Sequence, residues 1–118
     1  MLFRSINAQQ PLWMRYPAIS PDGSTIAFAF QGDIWKVSSK GGKAERITSN
    51  DAYDVSPVWS PDGKNIAFAS DRHGNMDIFI IPAEGGSPRR LTYHSANEIP
   101  SAFSHDGSAL YVSTHIQD

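Results

Sequence analysis

Bulky and small apolar residues alternate in two matching stretches of the chain. Ile26, Phe28 and Phe30 interleave with Ala27 and Ala29, and Ile66 and Phe68 interleave with Ala67 and Ala69. A period of two places successive side chains on opposite faces of a strand. Because both faces are apolar, each strand is expected to lie between two packed layers. Turn signals bracket these strands. Ser20-Pro21-Asp22-Gly23 precedes the first and Ser60-Pro61-Asp62-Gly63 the second, and Ser104-His105-Asp106-Gly107 precedes a third run, Leu110 to Ser113. Proline presets φ at the second turn position, aspartate bonds back to the main chain, and glycine takes the left-handed position that closes a short hairpin.

The pattern repeats. Ser20, Ser60 and Ser104 are 40 and 44 residues apart, and Gly42 to Gly86 and Thr48 to Thr92 are each 44 apart. The length difference falls in one connection, where Phe30-Gln31-Gly32-Asp33 becomes Ser70 to Asp77, four residues longer. Within the first unit, Tyr16 to Ser20, Ile26 to Phe30, Ile34 to Val37 and Ala44 to Thr48 read as four strands, with minimal turns at Gln31-Gly32 and Gly41-Gly42. The second unit reads as Val58 to Ser60, Ile66 to Ser70, Asp77 to Ile81 and Arg89 to Thr92. The third supplies Ala102 to Ser104 and Leu110 to Ser113. No stretch of ten or more residues has helical apolar spacing. A period of roughly 40–45 residues with four short strands is the signature of a propeller blade. The expected fold is all-β: an incomplete propeller with blade 1 over 16–48, blade 2 over 56–92, and the start of a third over 99–118, after a lead-in of residues 1–15. Trp13 and Met14 are apolar enough to dock, and Pro11 keeps the lead-in from starting a helix.

Composition narrows the function classes. The chain has 118 residues, a formal charge of −2 and 40% hydrophobic residues, which argues against disorder and against a nucleic-acid-binding basic face. No apolar run approaches the roughly 20 residues of a membrane helix. With no cysteine, disulfides and thiolate metal sites are excluded and the redox compartment stays open. Ile6-Asn7-Ala8 before Gln9 has the small-residue character of a secretory cleavage tail without its hydrophobic part; an ordinary frayed terminus fits as well.

At Pro57-Val58-Trp59-Ser60-Pro61-Asp62-Gly63, Ile66-Ala67-Phe68, Ser70-Asp71-Arg72, Gly74-Asn75, Asp77-Ile78 and Gly85-Gly86 to Leu91-Thr92, the sequence resembles the TolB-like β-propeller repeat. Such repeats occur in TolB, in tricorn-type serine peptidases and in prolyl-oligopeptidase-like enzymes. The order of the three units is most similar to the opening propeller of a tricorn-type peptidase. That resemblance implies a large, periplasmic or secreted protein whose protease chemistry lies outside this segment; without it, a cytoplasmic setting stands. It also implies that the ring gates or holds peptide substrates, or else that a TolB-like module binds a protein with no hydrolase attached. His105, where the other turns have proline, departs from the repeat.

The residues themselves offer little catalysis. There is no GxSxG elbow. Ser70, Asp71 and His73 are close in sequence, but on a connection where an aspartate before glycine caps a loop. His73, His94, His105 and His115 lack HExxH spacing, and Asp33, Asp71, Asn75 and Asp77 lack the calcium-loop pattern with its terminal glutamate. Asp33 and Asp77 hold matching positions, which points to turn fixing. Trp35, Trp59, Phe68, Phe79 and Phe103 are placed periodically, as inter-blade core requires. No cofactor and no metal is expected. The interaction candidates are rim-loop residues Asp71, Arg72, His73, Asn75, Tyr93, His94 and Glu98, since propellers bind through loops held on a rigid ring. His73, His94 and His115 belong to one rim and His105 to the other. The expected partners are a peptide or protein at those loops, and either the rest of a larger propeller or a second copy. Two apolar blade faces of an isolated segment would otherwise meet water.

Overall fold

The computed structural model describes residues 14–93 and 95–115; most of the lead-in, His94 and residues 116–118 lie outside the described residues. Ten strands form three antiparallel sheets, and no helix occurs among the described residues. The first sheet comprises β1 (Arg15–Ile19), β2 (Thr25–Phe30), β3 (Asp33–Ser38) and β4 (Glu45–Arg46) in sequential order. The second repeats it with β5 (Asp54–Trp59), β6 (Asn65–His73), β7 (Asn75–Pro82) and β8 (Arg89–Arg90); β9 (Asn97–Phe103) and β10 (Leu110–His115) pair as the third. These are sheets of an unclosed propeller, as the repeat predicts.

Alternation on β2 and β6 becomes inter-sheet packing. Ala27, Ala29 and Ile34 of the first sheet meet Ile66, Phe68, Phe79 and Ile81 of the second in one buried cluster, with Ile47 and Trp59 packed against it. The methyl face of one sheet receives the bulky face of the next, the small-against-large fit that close packing of an interior requires. Polar ties cross the same seam. The Lys36 ammonium donates to the Ala83 carbonyl at 2.8 Å, the Trp59 indole N–H to the Ala18 carbonyl at 2.8 Å, and the Asp54 amide to the Gly32 carbonyl at 2.9 Å. The outer face of the first sheet is less bare than its composition suggests: Phe28 and Val37 are 1% and 3% exposed, gathered with Met14, Ile26, Phe30, Trp35 and Ala44. On the third sheet Tyr111 is 60% exposed.

The Ser-x-Asp-Gly turns fold alike in all three units. In each, the glycine amide bonds to the serine carbonyl at 2.9 Å, and the serine hydroxyl donates to the aspartate at 2.7–2.9 Å. The aspartate also accepts the amide two residues on. Glycine is required at the end of the turn, with φ of 76°, 74° and 78° at Gly23, Gly63 and Gly107. The turns also stack, with Pro61 3.5 Å from the position a Cβ on Gly107 would take. These bonds favour the ionised carboxyl. Hydrogen bonds from Ser24 and Ser20 hold Asp22 at about 2, and those from Ser108 and Ser104 hold Asp106 at about 2. Asp62 is likewise lowered, by Ser60 first and the Lys64 amide second. A folded-state value below the unfolded 3.8 contributes stability above pH 3.8 that is lost as pH falls toward 2. The urea midpoint is therefore expected to hold from neutrality to about pH 4 and then fall, with Asp22→Asn and Asp106→Asn each flattening that fall. An acid limb as steep in both variants as in the parent would contradict this.

Strand bounds depart from the sequence reading where prolines lie. β5 begins at Asp54, not Val58, and β9 at Asn97, not Ala102. Pro57 and Pro100 do not stop these strands, because β5 and β9 are edge strands of their sheets, where a missing N–H costs no ladder bond. In β1 and β5 the register also shifts, with Tyr16 and Ser56, each preceding a proline, at φ of 53° and 57°. The outer strands are shorter than expected, two residues each. A threonine takes over from the backbone there: the Ile34 amide donates to Thr48 Oγ1 and the Ile78 amide to Thr92 Oγ1, both at 2.9 Å. Thr48→Val, nearly isosteric, leaves the amide of fully buried Ile34 unpaired and is expected to cost about 1–3 kcal/mol in urea unfolding, with Thr48→Ser costing less. Equal losses in the two variants would show that the hydroxyl is not what matters.

Candidate functional site

The four-residue insertion builds no loop. Residues read as a connection are strand: β6 runs through His73 and β7 starts at Asn75, so the hairpin extends to a single turn at Gly74, whose φ is 106°. Ser70 pairs with Asp77 and His73 with Asn75, which leaves Asp71 and Arg72 together opposite Met76. Such a bulge re-aims side chains. Here it turns Asp71 and Arg72 onto the connection that leads from β4 into β5. Asp71 Oδ1 accepts the Tyr53 amide at 2.8 Å. The Arg72 guanidinium reaches both oxygens of Asp54 at 3.2 and 3.3 Å, and its Nε donates to Ser70 Oγ at 2.9 Å. Its Cζ lies 4.5 Å from the Phe79 ring centroid, and His73 stacks on the same ring at a centroid separation of 5.9 Å.

Asp54 and Ser70 are fully buried, so Arg72 neutralises a carboxylate that water does not reach. Ser70 is engaged and buried while His73 stacks on a ring, and the three adjacent residues form no catalytic triad. The matching aspartates also carry arginines: Asp77 pairs with Arg90 at 2.7 Å and Asp33 with Arg46 at 3.6 Å. Both are cross-strand pairs, joining β7 to β8 and β3 to β4, where repeat position had suggested turn fixing. Asp33 is raised, mainly by burial and further by the Asp54 charge, against an opposing effect of Arg46.

Asn75 bridges forward. Its amide donates to Asp77 Oδ1 at 3.3 Å and to the Ala96 carbonyl at 3.2 Å, while Asn97 Oδ1 accepts the Met76 amide at 2.9 Å. The hairpin is thereby clamped to the connection on either side. Between it and the preceding connection lies an open depression of about 450 Å³ lined by Asn50, Asp51, Ala52, Asp71 and Arg72. At the same end of the blades His73 is exposed, as are Tyr53 at 47% and Tyr93 at 69%, with the Arg90 guanidinium 4.2 Å from the Tyr93 ring centre.

Of the sequence-derived candidates, the structure brings Asp71, Arg72, His73 and Asn75 onto one hairpin end, with Tyr93 on the same rim. Asp71, Arg72 and Asn75 are spent largely on holding that rim, which leaves His73 and Tyr93 as the outward surfaces. Glu98 is not a loop residue: it lies on β9, 8% exposed. His94 falls outside the described residues. His105 sits in the turn between β9 and β10, at the opposite end, beside an apolar depression of about 350 Å³ that includes Ile19, Val58, Trp59, Ala102 and Phe103. Sequence reasoning passed over Asn50 to Tyr53. Their signal was positional, since the stretch after Thr48 must emerge at the same end as the one after Thr92.

Residues 11–118 match the family model of the tricorn protease N-terminal β-propeller domain. The chain is 40% identical over 57 residues to a protein TolB homolog of Chlorobium luteolum, covering 48% of this chain and 13% of that protein. It is 33% identical over 70 residues to tricorn protease homolog 1 of Streptomyces coelicolor, covering 59% and 6%. The structure of a putative TolB from Agrobacterium tumefaciens superposes with a TM-score of 0.80 at 27% identity, over 86% of this chain and 38% of that one. The chain thus spans a small fraction of the relatives it matches. Three sheets of repeated register, the first two stacked small face to large, and a family model that covers all but the first ten residues lead to one conclusion: the chain belongs to the tricorn protease N-terminal β-propeller domain family.

Proposed function

We infer that this chain is a non-catalytic propeller segment that holds a peptide or extended protein chain at the rim of the long hairpin, on behalf of a serine peptidase site elsewhere in its protein. The observation that carries this reading is the clamped depression between Asn50–Ala52 and Asp71–Arg72, with exposed His73, Tyr53 and Tyr93 at the same end of the blades. Tyrosine and histidine offer broad contact area at little cost in conformational entropy, and the locks at Asp71, Arg72 and Asn75 pre-organise the surface, which lowers the cost of binding. The match to tricorn protease homolog 1 supports the peptidase context.

A second reading, a protein-recruiting module of the TolB kind with no hydrolase attached, draws support from the TolB homolog match. By the same resemblance a periplasmic setting is proposed, testable by fractionation. A PDZ-like domain and a peptidase domain in the full gene product would select the first reading, and a ring that closes at about six blades with nothing after it the second.

The test is a titration of isotope-labelled chain with an unstructured peptide, read by amide shifts. Shifts at Asn50–Asp54 and Asp71–Asn75, weakened severalfold by Tyr93→Ala and His73→Ala, are expected. Shifts confined to the Ser-x-Asp-Gly turns at the other end, or none, would overturn it. The same sample should leave fluorogenic peptides uncut; cleavage sensitive to a serine-directed inhibitor would show that the chain carries its own catalysis.

A further inference from the structure

The three units place an equivalent residue six positions before the turn serine: Met14, Asp54 and Glu98. In the second unit the acid has a dedicated cation, since Arg72 contacts both Asp54 oxygens. The first unit, with methionine, needs none. In the third, the position 44 residues beyond Arg72 is Ile116, so the sequence supplies an acid without its arginine. Geometry independently marks the same residue. Glu98 is 8% exposed and its Oε1 is buried with no hydrogen-bond partner among the described residues.

The arginines described around this rim are committed elsewhere. Arg72 is held by Asp54 and Ser70, Arg90 by Asp77 and the Thr92 carbonyl, and Arg46 lies nearest Asp33. The Asn97 side-chain oxygen is taken by the Met76 amide. A buried carboxylate without a partner is costly, and the cost is recovered when a charged donor arrives. A metal ion is a poor fit, because among the described residues no three His, Cys, Asp or Glu are placed to hold one. A fork-shaped or compact cationic nitrogen satisfies one carboxylate alone.

We propose that Glu98 is a receptor for a cationic nitrogen, the guanidinium or ammonium of a basic side chain, brought from outside the three sheets. This deepens the reading of the hairpin rim as a peptide-holding surface by giving its ligand a basic residue. The same chemistry has a second source, a basic side chain from any further part of the same protein, and the experiment separates the two.

The 118-residue chain, labelled with ¹³C at the glutamate carboxyl, is titrated with N-acetyl-arginine amide and, as control, N-acetyl-norleucine amide. Expected is a saturable shift of the Glu98 carboxyl carbon with arginine alone, and arginine affinity about tenfold or more lower in Glu98→Gln, with the amide spectrum otherwise intact. If a gene product longer than this chain loses the arginine response while Glu98→Gln lowers its melting midpoint, the cation comes from the protein itself. If the longer product keeps the response, the cation comes from a ligand. No shift at Glu98, or an arginine response unchanged in Glu98→Gln, overturns the proposal. Should unstructured peptides still shift the Asn50–Asp54 and Asp71–Asn75 amides in that case, the rim reading stands and only the basic-residue inference falls.

Discussion

Arg72→Ala is expected to destabilise the chain by about 3–5 kcal/mol, among the largest losses from any surface-reaching side chain here. The Arg72 side chain is 18% exposed, yet its partner Asp54 is fully buried. Truncation therefore strands a carboxylate in a place where hydration cannot replace the lost pair. Stacking on Phe79 at 4.5 Å and the bond to Ser70 are lost as well. Arg72→Lys rescues only partly, because an ammonium cannot lie flat on the ring while reaching Asp54. Double substitution with Asp54→Asn is the discriminating measurement. If the penalty comes from the stranded charge, Asp54→Asn recovers a substantial part of the Arg72→Ala loss in urea unfolding. Additive losses would show that the two side chains act independently.

Phe68→Ala is expected to cost about 3–5 kcal/mol, from lost transfer energy and the cavity left behind. Phe68 is wholly buried, stacks on Phe79 at a centroid separation of 5.9 Å, and fills the space facing Ala27 and Ala29. The residues it faces on β2 are already methyls, which leaves Ile34, and Ile47 at the margin of the cluster, as the only first-sheet side chains there able to relax into the void. Because this residue sits on the seam, the loss should show as separation of the first two sheets. Faster hydrogen exchange at the amides of Ala27, Ala29 and Ile34 than at those of β9 and β10 is the expected signature. A reciprocal enlargement, Ala29→Leu, over-packs the same seam and is expected to cost about 1–3 kcal/mol. If Phe68→Ala changed the urea midpoint no more than an exposed-site control such as Tyr111→Ala, the seam would not be what holds the sheets together.

Both residues were visible in the sequence, but for different reasons. Phe68 announced itself through alternation, since bulky-small periodicity on β2 and β6 leaves packed layers on both sides as the economical solution. Arg72 was visible only as a member of a longer connection. That the connection is strand, and that a bulge opposite Met76 turns Asp71 and Arg72 sideways, depended on pairing register between β6 and β7.

The candidate site was half legible for the same reason. Repeat arithmetic put the stretch Asp71–Asn75 and Tyr93 at one end of the blades, and the all-β ring, the stacked turns and the periodic aromatics followed from spacing. Hydrogen bonds local in sequence, such as Ser20 to Asp22, are dictated by residues two to five positions apart, and a sequence displays these directly. Contacts between residues distant in sequence do not have that property. Asp71 to Tyr53 and Arg72 to Asp54 each join residues 18 apart, and Asn75 to Ala96 joins residues 21 apart. Strands through Pro57 and Pro100 likewise became possible only because β5 and β9 lie at sheet edges. The sequence by itself determined the repeat, the turns and the faces that pack, since these are periodic and local. Only the tertiary structure decided that four candidate rim residues are clamps or strand, that Asn50–Ala52 joins the surface, and that Glu98 Oε1 is buried with no hydrogen-bond partner among the described residues, because each depends on which distant strand or connection comes within hydrogen-bond reach.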